Sequence, residues 1–516
     1  MPAHIRSRQP EAYVFLLLGF CAILPARPQA SMPERHTIAA FQKASASPLL
    51  LRAFLVGMPK GGDLHFHLGG AVYAETVLRD AAEDNLCVDL TAHRLEPNQE
   101  ISESGPHKIT CATGSIPATE LPSNQTAYDA MVDAWSMRSF VPSAGISGHD
   151  HFFSSFLRAG TDRRHLGEWL DEVASRAAAQ NEQYLEIQLA TPSKNALRAS
   201  EAVGWNPDMA ALRTALLNHG LHDDVPVGQA DLDRMEATRN ALEHCGTAQA
   251  APACHVLIRY LFVVGRNYPP ARVFAQALLA FELASTDPRV VGINFAQPED
   301  AYYSMTEYHR QMEMIGFLHS IYPQVHISLH AGELAFGMVP PEGLRFHIRE
   351  AVEIAHAERI GHGVDVMYED HPQQLLAEMA RKHIMVEINL TSNDVILGVR
   401  GKNHPLPLYI AAHVPVALST DDEGVSRIDL THEYVRAVTD FGLTYQDLKR
   451  MARTSMAHSF LPGADLWASP DDFTRVTPAC IRLSSASCTA FLKGSLKAQQ
   501  EWELEKRFVA FEAQQK

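Results

Sequence analysis

The chain has 516 residues, of which 46% are hydrophobic and 20% charged, and its formal net charge is −16. That length fits one large domain or two ordinary ones, and so acidic a body argues against nucleic acid or anionic membrane as a partner. No repeat or low-complexity tract interrupts it.

Arg6 and Arg8 precede an almost wholly apolar run, AYVFLLLGFCAIL from Ala12 to Leu24, followed by Pro25 and small residues, with Ala26 and Ala30 as cleavage points. This is the layout of a secretory signal peptide over residues 1–30. The run is short for a membrane-spanning helix, although an uncleaved anchor is the alternative. Cys21 follows the bulky Phe20 and does not suit lipid attachment. The mature chain, 31–516, is therefore expected to be exported, periplasmic or secreted, with no membrane association. Six cysteines remain in it, in three close pairs: Cys87 with Cys111, Cys245 with Cys254, and Cys480 with Cys488. In an oxidising compartment this predicts three local disulfides. No C-x-x-C occurs, so neither a cysteine zinc site nor the P-C-x-x-C half of the cytidine-deaminase signature is present.

Apolar, strand-like runs ending in polar residues recur along the chain: 62–68, 184–190, 255–264, 290–296, 325–333, 359–363, 384–393 and 415–422. Helical patterns lie between the later ones, as at 306–322 and 372–383. Eight strands alternating with helices predict an α/β fold, a TIM (β/α)8 barrel, with a doubly wound open sheet as the alternative. Polar residues collect at every strand end and not at one switch point, which favours the barrel. Residues 84–125 and 200–254 read as insertions, each with one cysteine pair. The tail at 495–512 reads as an amphipathic helix on the barrel wall, with Trp502, Phe508 and Phe511 on it.

The chemistry sits at the strand ends. His65 and His67 are two apart on the first strand, so both imidazoles face the same way. His330 ends the fifth strand in HAGE, His362 the sixth in RIGHG, and Asp421 and Asp422 the eighth. Three histidines and a carboxylate suit zinc, and an adjacent aspartate pair is costly to bury without a cation or shared protons.

In this order and spacing, MPKGGDLHFHLGGA, SLHAGE, RIGHG, EINLTSN and LSTDD resemble the adenosine deaminase family, and the exported state with an extra segment after the first strand resembles its secreted, growth-factor-related branch. The resemblance covers roughly residues 58–460. It implies one zinc ion per chain, held by His65, His67, His330 and Asp421. It implies that His362 handles the proton of the attacking water, that Glu333 donates a proton to ring N1, and that Asp422 contacts purine N7. The substrate implied is a small purine nucleoside, adenosine or 2′-deoxyadenosine, hydrolysed to inosine or 2′-deoxyinosine and ammonia.

Two positions depart from the family pattern. Gly69 stands where an acidic residue usually holds the ribose 5′-hydroxyl. GINFAQPE stands where GIDLAGDE is usual, so Asn294 and Gln297 replace an Asp and a Gly, and the backbone N–H offered to the purine passes to Gln297, whose side chain could narrow the pocket. Metal chemistry is untouched by these changes; the sugar side of the substrate is not. Other readings stay open: the same chemistry on AMP, a 5′-modified or an N6-substituted nucleoside, a secreted non-catalytic binding protein on the same barrel, or a metal-dependent hydrolase of a lactone or amide.

Overall fold

The computed structural model describes residues 31–97, 109–159 and 163–515. The leader and its cleavage points lie outside the described residues, as does 98–108 within the expected 84–125 insertion.

Eight strands form the centre: β1 Gly61–His67, β2 Glu182–Leu189, β3 Leu257–Gly265, β4 Val290–Ala296, β5 His326–Ala331, β6 Arg359–His362, β7 Met385–Ile388 and β8 Val416–Leu418. Each pairs in parallel with the next. The ring then closes. Phe66 bridges Asp421, His67 N–H donates to Asp421 O at 3.2 Å, and Asp421 N–H donates to His65 O at 2.9 Å. A closed ring leaves no sheet edge, so the fold is the barrel and not the open sheet.

The strands are continuous apolar runs because they are covered on both sides. All eight residues of β2 and all seven of β4 are buried. Two runs are shorter than the sequence suggests. β7 stops at Ile388, and LTSN opens the helix Leu390–Leu397. β8 stops at Leu418, and Ser419 to Asp422 form the turn beyond it. In both places polar side chains gather where the chain leaves the sheet and must turn across the mouth.

Between β1 and β2 the chain makes a longer excursion than 84–125. It holds a three-stranded antiparallel sheet (87–89, 94–96 and 115–117) and the helices Ala74–Glu83, Gln125–Ala134, Gly148–Ala159 and Leu166–Ala179. The 200–254 stretch contains the helices Met209–Asn218 and Asp224–Leu242. Two N-terminal helices, Met32–Ala44 and Pro48–Gly57, pack beside the C-terminal helix Leu496–Gln514, where Phe41, Leu51 and Leu55 join Phe508 and Phe511 in the main core. Trp502 packs instead against a smaller cluster around Cys480 and Cys488. Among the described residues no helix is long and apolar enough to cross a membrane.

The six cysteines pair as their sequence proximity suggests: Cys87 with Cys111, Cys245 with Cys254 and Cys480 with Cys488, closing separations of 24, 9 and 8 residues. Peptide mapping without reduction should recover these three bridges. Replacing both Cys245 and Cys254 by serine should lower stability in a denaturant titration by roughly 2–3 kcal/mol, the loop entropy of so short a closure.

Candidate metal centre

The C-terminal ends of the strands converge on a cavity of about 590 Å³. His67, His330, Glu333, Asp421 and Asp422 line one end of it, and His65 and His362 are buried just behind. The distances sort these groups. His65 Nε2 lies 3.1 Å from His330 Nε2 and 3.5 Å from Asp421 Oδ1. His67 Nε2 lies 3.3 Å from each of the same two partners. Donors at 2.0–2.1 Å from one tetrahedral ion stand about 3.3 Å apart, and these four contacts, which share His330 and Asp421, are of that order. His362 stands further out: its Nε2 is 3.9 Å from Asp421 Oδ2 and its Nδ1 is 3.8 Å from Glu333 Oε1. His65, His330, His362 and Asp421 offer ligand atoms that all lie within 4.8 Å of one another, whereas His67 groups with Asp421 and Asp422.

A second layer of side chains fixes which nitrogen of each ring faces inward. His65 Nδ1–H donates to Glu387 Oε2 at 2.6 Å, His330 Nδ1–H to Asn294 Oδ1 at 2.9 Å, and His362 Nδ1–H to Asn393 Oδ1 at 2.9 Å. All three Nε2 atoms are thereby directed at the centre. Ser392 Oγ–H donates to Asp421 Oδ2 at 2.7 Å. Glu387 is itself held by Ser328 Oγ at 2.8 Å and by Arg359, which also pairs with Glu186. Sequence reading singled out Asn294 as a departure but gave it no role, and missed Glu387, Asn393, Ser392 and Arg359. A signal for Glu387 was present: it is a lone carboxylate inside the apolar IMVEINL, and a charge buried in a strand needs a partner.

Burial dominates the electrostatics. It lowers the pKa of His67 and of His362 to about 4 and pulls His330 well down, with the neighbouring histidine charges adding to the effect, so neutral imidazoles result. Burial also opposes ionisation of Asp421, but the hydrogen bond and charge of His65 outweigh it and hold the carboxyl below its ordinary range. Glu333 and Asp422 go the other way. Burial first, then the charge of Asp421, pushes both carboxyls well above the usual carboxylate range.

Backbone geometry places Glu333. Gly332 has φ +73°, and a Cβ there would stand 2.3 Å from Asp365 Oδ1, so the turn needs glycine. The turn is clamped from below by Glu299, which accepts from Gly332 N–H at 3.0 Å and Glu333 N–H at 2.7 Å. Burial disfavours this carboxylate, yet its contacts with His347 and Arg266 bring its pKa down to about 2. His362 and Asp421 also adopt left-handed backbone, φ 69° and 61°, a strain tolerated where a site over-determines it.

Gln297 lines the cavity. Its φ is 88°, a glycine-like conformation, and its Oε1 turns away to accept from Asn267 N–H at 2.8 Å. Gly69 lines the cavity with open space around it: a Cβ added there would meet nothing within 4 Å. Gly70 is the opposite case, since its Cβ would fall 1.7 Å from Asp422 Oδ1.

One wall of the cavity is the helix Gly148–Ala159, which the sequence reading did not foresee; it contributes Phe152, Phe153 and Phe156. Its first turn is tied across to the loop after β4, where His149 Nε2 meets Asp300 Oδ1 at 3.0 Å.

An eight-stranded α/β barrel with a His/Asp metal-binding group at its C-terminal mouth defines the class. The comparisons narrow it further. A family model described as adenosine deaminase matches residues 171–466. The adenosine deaminase of Clostridium perfringens is 32% identical over 135 residues, 26% of this chain and 37% of that protein. That of Escherichia coli is 35% identical over 137 residues, 26% and 38% respectively. The chain therefore spans under two fifths of the length of the curated relatives it matches. An Arabidopsis protein solved with IMP is 17% identical with a TM-score of 0.53, covering 89% of this chain and 99% of its own. A zinc-bound amidohydrolase from Burkholderia ambifaria is 17% identical with a TM-score of 0.52, covering 89% and 95%. These structural likenesses bear on the fold. The chain belongs to the adenosine deaminase family.

Two outcomes follow from this geometry. Gly70→Ala should displace the Asp422 carboxyl while leaving the four close donors in place; metal content by elemental analysis should be unchanged, and ligand affinity should fall. The His149–Asp300 tie should depend on pH. Burial disfavours the imidazolium, but Asp300 and the nearby Asp150 overcome it and raise the His149 pKa above 6.5. A raised folded pKa means the tie is at full strength below 6.5 and is lost as pH climbs through the raised value. Hydrogen exchange in the helix Gly148–Ala159, corrected for intrinsic rate, should quicken as pH climbs above 6.5 through the raised value in the wild type but not in Asp300→Asn.

Proposed function

We propose that this protein is an exported hydrolase that deaminates adenosine or 2′-deoxyadenosine to inosine or 2′-deoxyinosine and ammonia, with one zinc ion held by His65, His67, His330 and Asp421. The observation that carries the reading is the clustering of His65, His330, His362 and Asp421, with His67 against Asp421, beside a buried carboxyl, Glu333, kept above the ordinary carboxylate range. Such a group is a proton donor at neutral pH, which a purine ring needs if water is to add at C6. The relatives named adenosine deaminase, and the Arabidopsis neighbours described as an N6-mAMP deaminase and as binding IMP and GMP, support deamination of a 6-aminopurine.

Zinc, when bound, would supply the Lewis acidity that makes a water acidic enough to add at C6 near neutral pH. The chain's own residues do the rest. Glu333 donates its proton to ring N1 as water adds to C6, which removes the ring's aromaticity and makes that carbon tetrahedral. His362, neutral and with its Nδ1–H held by Asn393, accepts the proton of the attacking water at Nε2. Asp422, with its carboxyl kept protonated, donates to N7. Protons returned to the amino group let ammonia leave, and the carbonyl forms at C6. One water is consumed for each ammonia released. Export rests on the leader pattern and on three disulfides, which persist in oxidising compartments.

Purified protein should convert adenosine with a fall in ultraviolet absorbance and stoichiometric ammonia, and a chelator should stop it. His67→Ala and Asp421→Ala should lose both metal and activity. Glu333→Gln should keep the metal and lose most turnover, by roughly 10²–10⁴-fold, the usual contribution of a positioned acid. A protein that held no divalent metal after any reconstitution would sink the mechanism.

A further inference from the structure

Within the cavity one side chain stands out from the metal end. Gln188, at the C-terminal end of β2, is 2% exposed and lines the cavity, and neither its Oε1 nor its Nε2 has a hydrogen-bond partner. It is in register with His67 on the neighbouring strand. Buried side-chain amides are almost always satisfied, and one left with both ends free costs folding energy for which the fold itself gains nothing. An amide presents a donor and an acceptor side by side, and a hydroxyl offers the complement of both.

Phe152, Phe153, Phe156, Leu166 and Trp169 give the cavity a mostly aromatic wall, Arg163, Asn267 and Gln297 are its other polar members away from the histidines and carboxylates, and the open side at Gly69 adds no polar group. Every carboxylate lining the cavity (Glu333, Asp421 and Asp422) is at the reacting end. Arg163 is the one cation among the described lining residues, and it is engaged: Nη1–H donates to Ala190 O at 2.9 Å and Nη2–H to Asp231, which Arg234 also holds. A phosphate dianion placed here would lose its hydration among aromatic rings and would have to break that pair to gain a counter-charge.

Resting on the deaminase reading above, we infer that the site selects uncharged nucleosides over nucleotides, and that Gln188 is the residue that holds the sugar, through one of its hydroxyls. An apolar 5′ substituent is tolerated by the same wall that rejects a phosphate.

The test is a panel of kcat/KM values for adenosine, 2′-deoxyadenosine, 3′-deoxyadenosine, 5′-deoxyadenosine, 5′-methylthioadenosine and AMP, on wild type and Gln188→Leu. Adenosine should exceed AMP by about 100-fold or more in the wild type, and methylthioadenosine should fall within about 10-fold of adenosine. Gln188→Leu should cut kcat/KM for adenosine by roughly 10–100-fold. It should leave nearly unchanged the value for the one deoxynucleoside that lacks the hydroxyl held by Gln188, a coupling that a merely structural role would not produce. Gln188→Asn, which keeps the amide, should recover part of the loss. AMP used as well as adenosine would overturn the charge selection. An equal loss on all three deoxynucleosides would overturn the role of Gln188. Turnover of adenosine with either of these results leaves the deaminase reading standing, whereas no turnover of any purine removes that reading and this inference together.

Discussion

The contact on which the rest depends is the seam between β1 and β8. Asp421 N–H donates to His65 O and His67 N–H to Asp421 O, so the backbone bonds that close the barrel belong to residues whose side chains form the donor set. Closure and site are one event. A sheet that failed to close would leave His65 and His67 on one edge and Asp421 on another, with no common point to face. The left-handed backbone of Asp421 belongs to the same seam: the chain leaves β8, turns its carboxylate inward and at once presents Asp422 against Gly70.

Around that seam the barrel interior is unusually polar, and it is organised in depth. His65 leans on Glu387, Glu387 on Arg359, and Arg359 on Glu186, each fully buried. A buried ion pair is weak support for stability in itself, because desolvation offsets much of the attraction. Its use here is directional. Glu387 and Arg359 are each held from more than one side, which leaves each one good orientation, and the end of the series aims an imidazole. Glu299 plays the equivalent part below the HAGE turn, where two main-chain N–H groups, His347 and Arg266 converge on one carboxylate.

The order of strands was legible because parallel strands covered on both faces are written as uninterrupted apolar runs, and VVGINFA reads the same in sequence and structure. The donor histidines were legible because period-two spacing and strand-end placement leave few other reasons for them. Residues that depend on tertiary neighbours were not. Glu387 carries no local hint of which histidine it supports, and Gln188 looks like any polar residue in YLEIQLA until its lack of partners is seen. The helix Gly148–Ala159 escaped because its aromatic residues face a cavity and not a sheet, so the usual contrast of apolar and polar faces is blurred. The glycine-like φ of Gln297 and the capture of its Oε1 by Asn267 N–H also depend on tertiary neighbours and leave no local mark.

The seam has a consequence for the order of biosynthesis. The first two donors are made early in the chain and the carboxylate more than 350 residues later, after every other strand. A nascent chain stopped before β8 carries all four histidines but neither the closing hydrogen bonds nor the oxygen ligand. The complete set therefore cannot assemble as the polypeptide emerges, and a prematurely terminated product has imidazoles without the carboxylate and the seam that face them together. Any ion that needs histidines and carboxylate at once would have to be taken up after the last strand docks, wherever the finished polypeptide then is.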